Sequence, residues 1–526
     1  MSATQQNRPI ALRTPLGEDV LLLQNFVYDE EMSQPFVLKM EMQSERRSVD
    51  FRKLLGQNVT VKILLPTGGS RYLNGFVSVF RQTGFEGNLT TYEAVVVPWL
   101  KLLELSADCR IFQKMTVPEI LKKVFSDAGY SDFRMVLTAS YGPRGICVQY
   151  RESHLNFVTR LMEEEGISYF FEHADGRHTL VMADSTTAHT TFPGYAELDY
   201  SPQEVDHADS ERVYDWKSQA TIASASVVLN DYDYVAPRAS LVCSARAATG
   251  EPPTIGEYYD APGGYEVPSD GDTRAKIRLQ GLRCQQVVFH GRARCAGVSA
   301  GFYFSMKGTP AGVFDAEYLV TSTRLEIRSA DFRTATVDST SAGIDCRISA
   351  IPVETVFRPQ VRTAKPRIAG IQTAVVTGPQ GNNPKIPFVS PLGSLKVKFR
   401  WDRARAEDDS CSGWIRVSQV AAGNGWGSVF LPRIGNEVLV AFEEGDPDRP
   451  AIIGCVYNAV NMPTLPLPQF AQRCYFNDDG GNALCFAPEA GCQSIVMYSP
   501  FNDTMRVVGA ADGPAYENIP NQPSFP

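Results

Sequence analysis

The sequence lacks the features that mark several large classes of protein. No apolar run approaches the roughly 18 residues of a membrane span, and no basic patch followed by an apolar segment opens the chain. We therefore expect neither a transmembrane helix nor a secretory signal peptide. Acidic residues also outnumber basic ones, 59 to 50, which gives a net charge of −9. Because proteins that bind a phosphate backbone usually carry a basic stripe, we predict no nucleic-acid partner.

The motifs of metal and nucleotide chemistry are missing. Only six histidines occur: His154 lies near a predicted helix start, and His173 and His178 face each other across a predicted hairpin. There is no H-E-x-x-H helix, no Cys/His ligand spacing and no P-loop. Gly423–Gly427 departs from the dinucleotide fingerprint because its third glycine comes one residue early, so we interpret it as a hairpin loop. We predict no catalytic residue, no cofactor and no metal.

Two further patterns resemble catalytic motifs but have simpler interpretations. Gly297–Gly301 fits the G-x-S-x-G nucleophile elbow around Ser299, yet a strand pattern follows where that motif needs a helix, so we expect a tight turn. Three acidic pairs could serve as a glycosidase acid and base, but all lie in predicted turns, where Asp caps backbone amides. The pairs are Asp408 with Asp409, Asp446 with Asp448, and Asp478 with Asp479.

The eleven cysteines include no C-x-x-C pair, and a chain of this length does not need disulfides to stabilise its core. We interpret them as reduced thiols of a protein folded in the cytosol, mostly buried as small hydrophobic side chains. A bridge between Cys485 and Cys492 stays open as an alternative.

The sequence pattern is that of a β-rich, multidomain protein. At about 150 residues per domain, 526 residues accommodate about three to four domains. Strand-like runs separated by glycine turns fill Val20–Leu105. A capping box at Thr116–Glu119 begins a first helix that Gly129 ends, and a second helix runs from Ser153 to Gly166.

The second helix ends in Glu163, Glu164 and Glu165, although the helix dipole favours cations at a C-terminus. We interpret this triplet as a solvated acidic face; a contact for a basic partner is the alternative. Beyond a hairpin, we interpret Asp199–Pro268, which is rich in Ala, Ser, Asp, Tyr and Pro, as irregular, and β patterning returns over Arg274–Val356.

An internal repeat connects two distant parts of the chain. Glu93–Pro98 and Arg347–Pro352 are both apolar-rich strands that end in proline, and each follows a strand and a polar loop, Gly75–Arg81 and Tyr318–Ile327. We interpret the repeat as two related β-barrels.

A compact β unit follows the proline-rich segment Arg358–Pro391, which we interpret as linker and loop. Five strand candidates within about 65 residues suit a small barrel of the OB type. They are Leu395–Trp401, Trp414–Val420, Ser428–Leu431, Glu437–Phe442 and Ala451–Tyr457.

Motifs in this unit and upstream of it carry a family resemblance. The motifs are Gly393–Arg403, Trp414–Gln419, Gly423–Gly427, Pro432–Val438, Glu444–Pro450 and Gly454–Asn458, with Val148–Ser153 and Glu317–Ser322 upstream. Together they resemble the VgrG family, the spike proteins of bacterial type VI secretion systems, in order and over nearly the whole chain.

The resemblance implies a mainly β chain with a small α+β insertion. The expected parts are tandem hub β-barrels like those of contractile-tail phages, an OB-fold barrel and the start of a trimeric β-helix. We place the hub-like region at 1–365, with its helical insertion at about 110–190, the OB-fold barrel at 366–462, and the β-helix start and tail at 463–526.

The resemblance also implies a function and partners. A VgrG homotrimer is a structural spike that caps the hexameric Hcp tube, contacts baseplate proteins and carries a PAAR-repeat tip protein and effectors. It meets the target membrane only by puncturing it. Two barrels per chain would give a trimer a pseudo-sixfold ring. We expect a non-enzymatic protein that is cytoplasmic during assembly and then leaves the cell through the type VI apparatus.

The tail fits the needle of such a spike only in part. Asn482–Phe486, Gln493–Tyr498 and Thr504–Val508 are short strands whose edges would find partners in two sister chains. The long repeats that the family shows after Val508 are missing, and Tyr516–Pro526 is interpreted as a disordered tail or a docking strap. A short needle and a truncated chain both stay open.

Two other functions stay open. A phage or phage-like tail hub would have the same architecture on another particle. A cell-wall hydrolase, by analogy with phage spikes that insert a lysozyme, is disfavoured because only about fifteen residues separate Asn458 from the first tail strand near Cys474.

Overall fold

The computed structural model describes residues 4–509 except 7, 67, 203–210, 249–252, 330–342, 404–406, 492, 502 and 503. These residues form two compact units, and the second unit begins at Pro366 and also contains Cys109–Gln113 and Gly145–Tyr150. The tail Tyr516–Pro526 and the thiol of Cys492 lie outside the described residues, so the predictions made for them stay predictions.

The first barrel arises from β-branched and aromatic residues that alternate with polar ones. The strands are β1 (Ile10–Arg13), β2 (Leu22–Glu31), β3 (Val37–Ser44), β4 (Asn58–Leu64), β5 (Ser70–Glu86) and β6 (Leu89–Val97). They pair antiparallel, as predicted, in the order β1-β4-β5-β6-β3-β2. Phe26, Tyr28, Leu38 and Val61 are buried in this barrel.

A helical insertion follows, and both predicted helices are confirmed in it. The Thr116 hydroxyl and the Glu119 carboxylate cap the first helix reciprocally, and the Ser153 hydroxyl accepts the N–H of Asn156 at 3.1 Å at the start of the second. Gly166 ends the second helix with a φ of +67°. The elements are α1 (Trp99–Leu102), β7 (Ala107–Met115), α2 (Val117–Asp127), β8 (Phe133–Val136), β9 (Arg144–Ser153), α3 (His154–Glu165), β10 (Ser168–Ala174) and β11 (Arg177–Ala183).

The second barrel contains an inserted small domain. Its elements are β12 (Glu197–Asp199), β13 (Val213–Ala220), β14 (Ser226–Leu229), β15 (Cys243–Arg246), β16 (Glu257–Asp260), α4 (Pro268–Arg283), β17 (Val287–Ala293), β18 (Tyr303–Lys307), β19 (Glu317–Arg328) and β20 (Gly343–Pro352). Strands β14 to β16 form a separate sheet, and α4 packs against it around the buried Leu241 and Leu279.

Two predictions for this region are wrong. The stretch Asp199–Pro268 is not irregular, because β13 to β16 lie in it, and α4 occupies the start of the predicted β region. The sequence pattern did not predict this helix, because the helix buries Gly271 and Ala275 and so lacks a stripe of large apolar side chains. A Cβ on Gly271 would lie 2.5 Å from Sγ of Cys243, so the close approach requires glycine. None of the helices in the described ranges is long and apolar enough to cross a membrane.

The two barrels repeat one strand arrangement. The order β2-β3-β6-β5-β4 of the first recurs as β13-β17-β20-β19-β18 in the second, and both sets follow the same order along the chain. Strands β2 and β13 bulge at Gln24 and Tyr214, and β5 and β19 bulge at Ser78 and Thr321. A bulge strongly constrains register, so its recurrence at corresponding places shows that the barrels are copies of one unit.

The register agrees with the repeat seen in the sequence. Val96 pairs with Val77 in the first barrel, and Ala350 pairs with Val320 in the second. Val96 and Ala350 are also the residues that match when the repeated segments Glu93–Pro98 and Arg347–Pro352 are aligned. The prediction of two related β-barrels is confirmed.

The second unit contains a five-stranded sheet and a short hairpin. The strands are β21 (Gln372–Thr377), β22 (Lys396–Phe399), β23 (Arg416–Val417), β24 (Ala422–Gly423), β25 (Trp426–Gly427), β26 (Glu437–Phe442) and β27 (Pro450–Val456). The sheet has five strands, as predicted, in the order β22-β21-β26-β27-β23. One predicted strand is wrong, because Ser428–Leu431 is not a strand, and β21 lies inside the segment interpreted as linker. Gly423–Gly427 is the predicted hairpin loop.

The three predicted tail strands are confirmed, together with one strand before them. They form an antiparallel four-stranded sheet in chain order. The strands are β28 (Cys474–Asn477), β29 (Ala483–Ala487), β30 (Ser494–Ser499) and β31 (Thr504–Gly509). Winding of these strands with sister chains stays a prediction.

Candidate functional site

Ser299 lies in a buried polar cluster and not in a nucleophile elbow. Its hydroxyl donates to a Glu30 carboxylate oxygen at 2.9 Å and accepts from the Arg71 guanidinium at 3.1 Å. Arg71 and Glu30 form an ion pair of 3.5 Å whose side chains are only 2% and 5% exposed. Gly301 turns the chain with a φ of +86° toward β18. The predicted tight turn is confirmed, and the hydroxyl is committed to a structural ion pair.

His173 and His178 face each other across the β10–β11 hairpin, as predicted. Nδ1 of His173 accepts the backbone N–H of Asn74 at 3.1 Å, and Nε2 lies 2.9 Å from the Tyr28 hydroxyl. Nε2 of His178 accepts the N–H of Trp99 at 3.0 Å, and Nδ1 lies 2.8 Å from Oδ1 of Asn74. Burial lowers the pKa of His178 to about 4 and that of His173 well below its usual value. Both rings are neutral structural groups.

No group of three or more His, Cys, Asp or Glu residues is placed to hold a metal ion within the described part of the chain. His154 opens α3, away from the paired histidines of the hairpin.

The acidic triplet at the end of α3 is not the solvated face that we expected. Glu164 lies 2.7 Å from Arg144 and 3.5 Å from Arg160, and Glu165 lies 2.6 Å from Arg144. Burial alone would raise the pKa of Glu164, but the two guanidinium groups hold it well below its usual value. The solvated interpretation is wrong because the chain supplies its own cations to this helix end.

The third acid of this group, Glu163, holds the segment that leaves the second barrel. Its carboxylate accepts the N–H groups of Arg362 and Thr363 at 2.9 and 2.8 Å and the Thr363 hydroxyl at 2.8 Å. A carboxylate with three donors fixes the course of that segment.

The three acidic pairs hold turns and neighbouring backbone. Asp408 and Asp478 each accept the N–H of a residue two or four positions later at 2.9 Å. Asp448 accepts the N–H of Val148 at 2.6 Å. Asp408 and Asp478 cap their own turns, as predicted, whereas Asp448 binds the backbone of a segment 300 positions earlier in the chain.

A ribbon of β7 and β9 supplies side chains to the second unit. Ile111 packs against the core of the five-stranded sheet. Gln372 donates to the Tyr150 hydroxyl at 2.8 Å and accepts from the Trp401 indole at 2.7 Å. Sequence reasoning missed this contact because the ribbon and the sheet lie more than two hundred positions apart in the chain.

Most cysteines are buried, as predicted, and all those described are free thiols. Cys485 is buried in the tail sheet, whereas Cys455 and Cys474 are exposed. The possible bridge between Cys485 and Cys492 involves a residue outside the described part of the chain.

The tail sheet carries mainly apolar side chains on both faces, although Arg506 lies opposite Met497 on one of them. Cys485, Val496 and Ala487 form a small core on one face, with Tyr475 against it. The other face carries Phe476, Phe486, Ile495, Met497 and Val508, which we call the terminal apolar face. Phe476 and Met497 are each 57% exposed and Val508 is 59% exposed.

Exposed apolar side chains also occur in and around the β24–β25 hairpin. Val420 is 93% exposed, and Trp426, Val429 and Phe430 are exposed as well. Exposed apolar residues that lie close together mark sites of protein association. The candidate functional site of this chain is therefore a set of assembly surfaces.

Comparison with known proteins places the chain among contractile injection components. Residues 29–331 match the family described as phage tail baseplate hub (GPD), and residues 389–457 match the type VI secretion system/phage-baseplate injector OB domain.

Two curated relatives from Pseudomonas aeruginosa are similar over most of the chain. The type VI secretion system spike protein VgrG1b is 38% identical over 517 residues, which cover 96% of this chain and 69% of the relative. The spike protein VgrG1a is 38% identical over 471 residues, which cover 89% and 72%.

A solved structure has the same fold. The E. coli c3393 protein is described as a component of the type VI secretion system with structural similarity to the T4 bacteriophage tail proteins gp27 and gp5. It matches with a TM-score of 0.61 and 21% identity, covering 85% of this chain and 99% of that one.

Proposed function

This chain belongs to the VgrG family of type VI secretion system spike proteins, and we propose that three copies of it assemble into the tip of the secretion tube. In this proposal the trimer caps the hexameric Hcp tube, contacts the baseplate, and carries a PAAR-repeat tip protein and effectors. Sheath contraction drives it out of the cell and through the target envelope. The work it does is mechanical.

The main support for the proposed trimer is the terminal apolar face. Phe486, Ile495 and Val508 lie side by side across three strands, and the opposite face of the same sheet is already packed. Fully burying one such side chain contributes about 1.5–3 kcal/mol. A sheet with two apolar faces is stable only when another surface covers the second face, and two sister chains supply such a surface.

The internal repeat supports docking on a hexameric tube. Each chain contributes two barrels of the same strand order. Three chains would therefore present six similar barrels, which matches the symmetry of a six-subunit ring.

Light scattering tests the trimer. The purified chain should have about three times its mass of 58.0 kDa. Replacing Phe486 and Ile495 together by serine should shift the mass toward one chain, because polar side chains remove the gain from burial. Val313→Ser, at a residue 70% exposed in the first unit, is the matched control and should leave the mass unchanged. A strict monomer at micromolar concentration would contradict the proposal.

We also propose that the chain itself catalyses no reaction and that its parts divide near 1–365, 366–462 and 463–526. Support comes from the contacts of the candidate catalytic groups, since Ser299 is bound to Glu30 and Arg71. Incubation of the purified chain with peptidoglycan tests this point, and release of soluble fragments would overturn it.

A phage-like particle is the second candidate, favoured by the hub family match over residues 29–331. Fractionation of a producing strain separates the two. Export through a type VI apparatus predicts the chain in the culture medium only when the sheath of that apparatus is intact, whereas a phage-like hub would appear in sedimenting particles.

A further inference from the structure

An open groove of about 730 Å³ lies in the first unit, over the solvent-facing side of one sheet. Five neighbouring strands form its floor, in the order β2-β19-β20-β17-β13, so strands of both barrels contribute. The opposite side of these strands is packed, and Leu325, Ile348 and Trp216 are buried there. At a strand spacing of about 4.8 Å, five strands give the groove a length of about 19 Å.

One row of charged side chains crosses the floor of this groove. From β2 to β13, the residues directly opposite one another are Asp29, Arg324, Arg347, Arg292 and Asp215. The three arginines therefore lie on adjacent strands, with their Cβ atoms about 4.5–5.5 Å apart, and like charges that face each other across a ladder destabilise a sheet. Such an arrangement is expected where a bound anion offsets the repulsion, because binding sites often carry residues that reduce stability.

Carboxylates of the chain neutralise the outer two arginines of the row. The Arg324 guanidinium donates to both carboxylate oxygens of Asp29, at 2.7 and 2.9 Å. The Arg292 guanidinium donates to Asp345 at 2.9 Å, and this hydrogen bond raises the pKa of Arg292. Both arginines therefore have a close partner within the chain.

The central arginine, Arg347, has a weaker partner. Among the described residues its only ion pair is with Asp345, at 3.8 Å. Oδ1 of Asp345 already accepts from Arg292 and from the Tyr214 hydroxyl, at 2.9 and 3.1 Å. The Arg347 side chain is 64% exposed and lines the groove between two positive neighbours. The centre of the row is thus the place where an added negative charge gains most.

Further hydrogen-bond donors lie beside the arginine row. The next row along the strands consists of residues that also line the groove, each directly opposite the next: Ser322, Ser349, His290 and Lys217. Nδ1 of His290 lies 3.1 Å from the Ser349 hydroxyl. Hydroxyl and ammonium groups beside a guanidinium are suitable donors for a carboxylate.

Acidic side chains at both ends of the groove restrict what can bind. Asp29 ends the arginine row on β2, Asp215 ends it on β13, and Glu31 also lines the groove. A polyanion running along the groove, such as a nucleic-acid backbone, would meet these carboxylates. A small dicarboxylate would fill only part of a groove about 19 Å long. The charges suit a peptide segment with one carboxylate at its centre and neutral or basic residues on either side.

We propose that this groove binds an exposed segment of a partner protein, and that the carboxylate of one Asp or Glu in that segment binds Arg347 between Arg324 and Arg292. The Ser349 hydroxyl donates to the same carboxylate. Basic residues on either side of the acid contact Asp29 and Asp215. All of these residues belong to the first unit, so the site does not depend on the terminal apolar face.

Fluorescence anisotropy of a short labelled peptide tests the site on the purified full-length chain. The probe peptide has one Glu at its centre, Ser and Gly around it and one Lys near each end, and the control peptide has Gln in place of that Glu. At low salt, where screening is weak, we expect saturable binding of the Glu peptide and about tenfold weaker binding of the Gln peptide. Arg347→Gln should remove this difference. Arg328→Gln, at an exposed arginine of the same strand outside the groove, is the matched control and should preserve it.

Thermal unfolding gives a readout that separates binding from a structural role of Arg347. An arginine that only held Asp345 in place would stabilise the chain, and Arg347→Gln would then lower the unfolding midpoint. Under the proposal, the same change removes the repulsion from Arg324 and Arg292, so the midpoint at low salt should rise by about 1–2 °C. A lower midpoint together with unchanged binding of the Glu peptide would overturn the proposal.

Three other results would also overturn it. The Glu and Gln peptides would bind equally if the groove did not recognise a carboxylate. Glutarate would bind as tightly as the Glu peptide if the site took a small free carboxylate and not a protein segment. Arg347→Gln would lower the mass in light scattering if the groove were a contact between copies of this chain. A native chain that is monomeric but binds the Glu peptide would instead overturn the proposed trimer and leave this site standing.

Discussion

Acid should destabilise the first unit through His178, and the effect can be worked from its contacts. Nε2 accepts the N–H of Trp99, and Nδ1 faces Oδ1 of Asn74, so the ring is neutral with its proton on Nδ1. A second proton could bind only at Nε2, where it would break the bond to Trp99. Burial lowers the pKa of His178 to about 4, because the charged ring would lose its hydration.

The size and sign of the effect follow from linkage. An unfolded histidine has a pKa of about 6.5, so the unfolded chain binds a proton below that pH that the native chain rejects. The free energy of unfolding therefore keeps its full value above pH 6.5. It falls by about 3 kcal/mol as the pH drops to about 4, through the protonation of His178 in the unfolded chain. His173, whose pKa is lowered chiefly by burial, adds to the loss in the same direction.

The assay is denaturant unfolding of the first unit as a function of pH, followed by tryptophan fluorescence. His178→Gln cannot take up the proton, so its unfolding free energy should fall by about 3 kcal/mol less than that of the native chain between neutral pH and pH 4. His290→Gln removes an exposed imidazole and is the control. Equal losses in the native chain and His178→Gln would refute the argument.

Three further predictions concern stability, and thermal unfolding checks each of them. Glu152→Gln should cost about 3 kcal/mol, because it removes the charge of the carboxylate that lies 2.8 Å from the buried guanidinium of Arg160 and leaves it Glu164 at 3.5 Å; an unchanged midpoint would contradict this. Gly301→Ala should cost about 1–3 kcal/mol or more, since φ is +86° and a Cβ would lie 2.3 Å from a phenylalanine ring; a neutral effect would mean that the turn relaxes freely. Trp401→Phe should cost about 1 kcal/mol through loss of the bond to Gln372, and a larger loss would show that the indole also holds packing.

Local patterns predicted the elements whose signal lies within a few neighbouring residues. The capping box at Thr116 and the Ser153 cap predicted both insertion helices, because capping requires only three or four consecutive residues. Helix α4 was not predicted because its buried positions include glycine and alanine, so the sequence shows no large apolar residues at helical spacing.

Contacts between distant segments were not predictable in the same way. The acidic triplet at the end of α3 was interpreted as solvated because its closest cation, Arg144, lies some twenty positions earlier in the chain and outside the helix. The bond of Gln372 to Tyr150 joins residues 222 positions apart, and no local pattern reports it.

The sequence by itself determined that this chain is mainly β, that its barrels are repeated and that its motifs are those of a secretion spike, because periodicity, turns and motifs are properties of neighbouring residues. Only the tertiary structure decided which strand edges are closed and which stay open. Pairing depends on what the fold brings alongside each strand: β2 meets β19 within the chain, whereas the matching edges of β13 and β5 have no described strand beside them.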